Sequence, residues 1–257
     1  MIVVPPGTPA PNVVVDTESP LYLRVNDHWL HLNGVEADLQ VDTSRGRDMF
    51  ESLDGFLWWQ QAPANKRTWK LDYRWATELA MRALRVAANY PGDVWLLHRE
   101  HAVANMLAPL DCQGTGAPLL AGGMPLRRFV SATSVTSMVR GGVPTFLGVW
   151  TDAAAGTPVG TVTYPGGSAV LEAPAGTTAQ RTQVAFTPDV DGLVTATVVA
   201  GTTGLQLTED WMPAEWMPGL RAPCRVAVTD PQRRLNRMED RSQGRGDYTV
   251  EIMEVGP

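Results

Sequence analysis

The residues with the most obvious reactive chemistry are four histidines and two cysteines. His98 and His101 stand three apart with Glu100 between them, and His28 and His31 repeat the spacing. A zinc site needs a third ligand and a fixed tetrahedral geometry. Neither pair has a third ligand in sequence, so both read as ordinary surface or half-buried imidazoles. Asp189-Val190-Asp191-Gly192 resembles a fragment of a calcium loop but lacks the other ligands of an EF-hand, so a turn is expected there. Cys112 and Cys224 are too few for a disulfide scaffold. The chain has no G-x-S-x-G, P-loop, G-x-G-x-x-G, H-E-x-x-H or C-x-x-C motif. Its carboxylates are scattered, so a glycosidase pair would leave no trace at this level. Arg245-Gly246-Asp247 is too short a match to carry functional weight. No residue pattern proposes an enzyme, a metal or a cofactor.

What remains are surfaces, and the nine tryptophans are the residues to follow. Trp58 and Trp59 are adjacent in FLWWQQ and would face opposite sides of a strand; with Trp69, Trp75 and Trp95 given to the core, one or other of them is left as a candidate for an oligomer interface. Sugar sites present an exposed aromatic ring beside polar groups, and Trp150, Tyr164, Trp211 and Trp216 are the candidates for that. For Trp211 and Trp216, in WMPAEWMPG, a strand-end plug at a domain junction is the competing role.

The element best placed to organise these surfaces lies at residues 66–97. From Trp69 to Trp75 apolar and charged residues alternate, the period of a half-buried strand. At Thr77, a candidate N-cap, the period changes. Glu78, Arg82, Arg85 and Asn89 then form a polar stripe, with Leu79, Ala80, Ala83, Leu84, Val86 and Ala87 filling the rest, the pattern of an amphipathic helix. Tyr90-Pro91-Gly92 ends it. Val94–Leu97 reads as a strand buried on both faces. Trp69, Trp75 and Trp95 are expected in the core.

Upstream, residues 1–20 are proline-rich, either a loosely held terminus or an arm that grips a neighbour. Strands are expected at Leu21–Val25, Trp29–Leu32 and Val35–Val41, around turns at Asn26-Asp27 and Asn33-Gly34. Thr43–Asp54 reads as a surface loop. Ala102–Leu107 is short and apolar and is expected to pack on the first domain. The composition changes at Asp111. Residues 111–220 carry 4 basic and 8 acidic side chains, against 10 and 13 in residues 1–110. Strands are expected at Leu126–Val135, Pro144–Trp150, Val159–Tyr164, Ala169–Ala173, Thr178–Phe186, Leu193–Ala200 and Leu205–Thr208, the mark of a β-sandwich or jelly roll. Two closing strands, Arg225–Thr229 and Tyr248–Val255, lie in a segment whose charge density resembles that of residues 1–110. They are therefore expected to return to the first domain's sheet, which makes 111–224 an inserted domain within 1–110 plus 225–257. Cys112 and Cys224 would flank the insertion, and two free buried thiols are favoured over a bridge.

The formal net charge of −6 argues against a general nucleic-acid binder. No apolar run approaches the ~20 residues that span a bilayer, and the N-terminus lacks the pattern of a signal peptide. A soluble protein made in the cytoplasm is expected.

Two regions together resemble one family. The first is RTWKLDYRWAT, its helix, and YPGDVWLLHREHAVANML. The second is GLVTATVVAGTTGLQLTEDWMPAEWMPG, the strand CRVAVTD and a closing YTVEIMEV. Their order is similar to that of minor tail proteins of long-tailed actinobacteriophages, the group that plays the distal tail role. The resemblance covers the chain from about residue 60 onward. It implies a mainly β fold with one principal helix, in which a ring-forming belt domain carries a galectin-like or carbohydrate-module-like sandwich. It also implies a structural virion protein, a homohexameric ring at the tail tip assembled in the host cytoplasm. The implied partners are the tail tube, the tape measure protein and the tail-tip or baseplate hub, with DNA only passing through the lumen. A host-surface glycan-binding module is the alternative. No cofactor and no membrane are implied.

Overall fold

The alternating run at Trp69–Trp75 is the middle of a twelve-residue strand that ends where the helix begins. In the computed structural model, residues 21–25, 28–32, 40–44, 47–51, 57–61, 66–176, 178–234 and 245–255 are described. Residues 1–20 and the turns at Asn26-Asp27 and Asn33-Gly34 lie outside them, as do most of Val35–Val41 and the side chains of Trp58, Trp59 and Trp75. The first third comprises β1 (Leu21–Val25), β2 (His28–His31), β3 (Gln40–Ser44), β4 (Arg47–Glu51), β5 (Leu57–Gln61), β6 (Lys66–Thr77), helix α1 (Glu78–Ala88), β7 (Val94–His98) and the short helix α2 (Arg99–Ala104). A 3-10 turn at Pro109–Asp111 leads to β8 (Pro118–Ala121), β9 (Met124–Arg127), β10 (Thr133–Val139), β11 (Thr145–Thr151) and β12 (Pro158–Tyr164). Then come β13 (Gly167–Glu172), β14 (Gln180–Phe186), β15 (Gly192–Val198) and β16 (Thr203–Glu209). The chain closes with β17 (Pro223–Val228), β18 (Gln232–Arg234) and β19 (Arg245–Glu254). The protein is mainly β with one principal helix.

β6 alternates because one of its faces meets a core and the other meets water. Trp69, Leu71 and Tyr73 are buried, while Asp72 and Arg74 are exposed. Met81, Leu84 and Ala87 of α1 share a core with them, at the three- and four-residue spacing of a helical stripe. Val86, expected on that stripe, is 53% exposed; it lies on the far side of the helix from Leu84.

The large antiparallel sheet runs β2-β1-β7-β17-β19-β6-β3, with β18 on β19. Strands from the end of the chain thus sit in its middle: β17 pairs with β7 (Cys224 with Leu96), and β19 pairs with β6 (Val250 with Leu71). β7 is buried on both faces, as its continuous apolar run requires. Val94 and Leu96 enter the core under α1, and Leu97 enters a second core.

That second core lies between a four-stranded sheet, β10-β15-β12-β13, and a three-stranded one, β14-β11-β16. Its filling alternates along β11 (Leu147 and Val149) and β16 (Leu205 and Leu207), while in β12 a register shift between Pro158 and Gly160 brings Val159 and Val162 to the same core. Two sheets packed through alternating apolar faces make a β-sandwich. The outer face of the four-stranded sheet explains the low charge of this region. Ser134, Thr197 and Thr161 stand abreast on three strands, and Thr136, Thr195 and Thr163 form the next rank. Hydroxyls occupy positions that charged side chains take elsewhere.

Three expectations need correcting. Thr43–Asp54 is not a loop: it contains the end of β3 and all of β4, which pairs with β5. Leu126–Val135 is not one strand, since β9 ends at Arg127 and Phe129 turns aside to exchange backbone hydrogen bonds with Gly201 and Thr202. Ala102, Met106 and Leu107 pack in the sandwich core, so the composition break at Asp111 falls inside that core.

Candidate functional site

Four buried charged or polar side chains, Arg67, His98, Asn105 and Glu254, gather where the two cores meet. Arg67, at the start of β6, is held from four directions. Its Nε donates to Glu254 Oε2 at 3.1 Å, and its backbone N–H reaches the same oxygen at 3.1 Å. Nη1 donates to the Leu220 carbonyl at 2.9 Å and Nη2 to that of Arg221 at 2.8 Å. The guanidinium lies 5.1 Å from the centre of the Trp69 ring. Arg221 completes the group by meeting the other Glu254 oxygen at 3.2 Å. Pairing of β19 beside β6 brings these residues together from opposite ends of the chain.

Next to this pair stand the two histidines. Arg67 Nη1 is 3.4 Å from His101 Nδ1, and the His98 and His101 rings stack at 4.1 Å. His98 ends β7 and His101 lies one turn into α2, which is what stacks a three-residue spacing. Burial, then the charge of Arg67, holds the His98 imidazole down to about 4. Among the described residues no group of three or more His, Cys, Asp or Glu could hold a metal ion. His28 and His31 open and close β2.

Asn105 ties the seam on the sandwich side and is wholly buried. Its Nδ2 donates to the Met217 carbonyl at 2.8 Å, and its Oδ1 accepts the backbone N–H groups of Leu107 and Leu207 at 3.3 and 3.2 Å. The incoming chain at 105–107 and the returning chain at 220–222 run side by side, joined by Leu220 N–H to Asn105 O and Ala222 N–H to Met106 O. A second contact crosses the seam further along, from an ion pair inside the sandwich to a ring of the large sheet. Glu209 of β16 accepts from Arg140 Nη2 at 2.6 Å and Nε at 2.9 Å, while the Arg140 guanidinium covers the Tyr22 ring of β1 at 4.7 Å. Sequence reasoning singled out none of these residues; a lone Arg or Asn carries no local pattern.

The predicted site residues fall into different settings. Trp58 and Trp59 lie in β5, opposite Phe50 and Met49. Trp216 is only 9% exposed, and Trp150 is half-buried against the sandwich core. Both abut Gly204: a Cβ there would come within 2.8 Å of Trp150 Cδ1 and 3.3 Å of Trp216 Cδ1. Trp216 therefore plugs the sandwich and offers no face to a sugar. Tyr164 is half-buried and stacks on Phe186 at 4.5 Å. Trp211 is 55% exposed and is the one of the four that presents its ring to solvent. Below it, Arg181 fastens the chain to the outer face of β14-β11-β16 through the Pro213 and Ala214 carbonyls and Gln206 Oε1.

Both cysteines are free and buried, Cys112 in the sandwich core and Cys224 in the core under α1. Burial pushes each thiol up to about 12, so both are protonated and poor nucleophiles. Asp191 serves its turn by accepting the Gly141 N–H at 2.7 Å. Arg245-Gly246-Asp247 opens β19 and pairs into the large sheet. No helix among the described residues is long and apolar enough to cross a membrane. The fold and seam define a mainly β protein in which a helix-backed sheet carries a β-sandwich. No family model, no curated protein and no solved structure matches the chain.

Proposed function

We propose that the protein is a structural component of a phage virion: a subunit of a six-fold ring at the distal end of the tail tube, joining the tube to the tail tip. The observation that supports this reading is that three motifs of the resemblance, far apart in sequence, are neighbours in one sheet, while a fourth, GLVTATVVAGTTGLQLTE, supplies β15 and β16 of the sandwich. RTWKLDYRWAT is β6, YTVEIMEV lies in β19 beside it, and CRVAV of β17 fits between β19 and β7. The large sheet is then the belt, residues 1–110 with 225–257, and 111–224 is the inserted, galectin-like decoration. Neighbouring subunits meet through heterologous contacts that close by rotation. Contacts of that kind are large and rich in aromatic residues, and Trp58 and Trp59 are the candidates to fill them. Tube, tape measure and hub proteins are the partners, and DNA passes through the lumen without being held. The site of action is the virion tail tip, after assembly in the host cytoplasm. Native mass spectrometry and negative-stain microscopy of the purified full chain test this. The expected result is a six-subunit ring; a monomer at every concentration up to the micromolar range and above overturns it.

A second reading, a module that binds host-surface glycan, is favoured by one observation, the exposed ring of Trp211. The full chain on a glycan array is then expected to bind, and Trp211→Ala to lose the signal. Binding that survives this substitution removes Trp211 from the role.

A further inference from the structure

We propose that the seam between the two cores is a proton-operated latch: uptake of a proton at the His98–His101 stack loosens segments 98–107 and 216–224 from each other while α1 and β11 to β15 stay folded. The geometry supplies three reasons. First, the two rings stack at 4.1 Å and His101 lies 3.4 Å from the buried Arg67 guanidinium, so a proton on either imidazole adds a further cation to a site that already holds Arg67 and Arg221. Second, His98 Nδ1 is buried with no hydrogen-bond partner, so nothing there shares the charge of an added proton. Third, the stack sits on the incoming segment, at the end of β7 and the start of α2, where it is tied to the returning chain. His98 N–H donates to the Ala222 carbonyl at 3.1 Å, and His101 touches the arginine that holds the Leu220 and Arg221 carbonyls.

The charged and titratable groups around the stack come from every described element that packs there. They are Arg67 of β6, Glu254 of β19, Arg221 of the returning chain and Cys224 of β17, with Arg99 of α2 paired to Asp210 at 3.9 Å. Among the described residues Glu254 is the carboxylate bonded to Arg67, and it is shared with Arg221. It therefore has little capacity left to offset a third cation.

The returning chain is built to let go. Asp210 and Arg221, near its two ends, hold left-handed backbone at φ +68 and +49. Such conformations persist in non-glycine residues only while the surroundings enforce them. The sign follows from the depressed imidazole. The closed seam binds a proton on His98 less readily than the open one. The latch is therefore fully closed above about pH 6.5 and opens as pH falls toward 4.

Hydrogen exchange of the full chain at pH 7 and pH 5, corrected for intrinsic rates, tests this. Amides of 98–107 and 216–224 are expected to lose protection about tenfold or more, while those of α1 and of β11 to β15 hold. His98→Gln and His101→Gln are each expected to flatten that response. Uniform loss of protection, or an unchanged acid response in both variants, overturns the latch. Should a variant fail to fold, NMR titration of the His98 ring in the unaltered chain decides. Opening that begins at a pH where His98 takes up no proton overturns the proposal.

Discussion

At the scale of single residues, the seam depends on groups whose value lies in having no substitute partner. Asn105 satisfies two backbone donors and one carbonyl in a place water does not reach. Asn105→Ala leaves all three unmet, and each buried unpaired group costs about 1–3 kcal/mol. A loss of about 3 kcal/mol or more is expected in urea unfolding; a loss under 1 kcal/mol would mean that water or a local shift replaces the amide. Glu254→Ala acts by another route, stranding Arg67 and Arg221 beside each other. Breaking a buried ion pair from one side costs about 3–5 kcal/mol, whereas replacing Arg67 and Glu254 together with apolar residues is expected to cost far less. A double-mutant cycle measures the difference. Neither residue was legible beforehand, because 187 positions separate them and only the return of β19 beside β6 makes them neighbours. The aromatic candidates show the same limit: Trp211 and Trp216 sit five apart in a near-repeat, yet one is exposed and the other is a plug.

At the scale of elements, strands with strict alternation were legible and hairpins without it were not. β6 and β15 bury alternate residues against a core, so the hydrophobic period announces them. β8 and β9 carry Pro118 and Pro125, which argue against a strand, and they pair only with each other, where a missing N–H is tolerated. The signal that marks them is Gly122-Gly123, both at positive φ, the turn that two-residue hairpins require. The chain between β16 and β17 has no period at all, and its strained ends allow a test. Asp210→Gly relieves a left-handed residue and loses only a half-exposed pair with Arg99, worth at most about 1 kcal/mol. Left-handed backbone costs a non-glycine residue about 1–2 kcal/mol, so thermal unfolding is expected to show no loss, or a small gain. Arg221→Gly relieves similar backbone but removes the second cation on buried Glu254. It is expected to lower the midpoint. If both substitutions shift the midpoint the same way, the ion pair is not what separates these positions.

For the whole molecule, the main question is whether two cores behave as two folding units. The fold class was legible because strand periods and one helical stripe account for most of the described chain, and the change in composition announced a second body. Where that body's core begins was not legible, because charge density records surface rather than packing. The sandwich core takes Leu97, Ala102, Met106, Leu107 and Trp29 from outside the charge-poor segment. A fragment of residues 111–224 therefore lacks part of its own interior and is not expected to fold alone. β7 makes the coupling stronger still, since Leu96 fills one core and Leu97, its neighbour, fills the other. Truncating either to alanine removes about 2–5 kcal/mol of packing. The strand they share cannot be lost from one core and kept in the other. At neutral pH calorimetry is thus expected to show one transition, lowered in both Leu96→Ala and Leu97→Ala. Two transitions, with each variant moving only its own, would mean that β7 divides the cores instead of joining them.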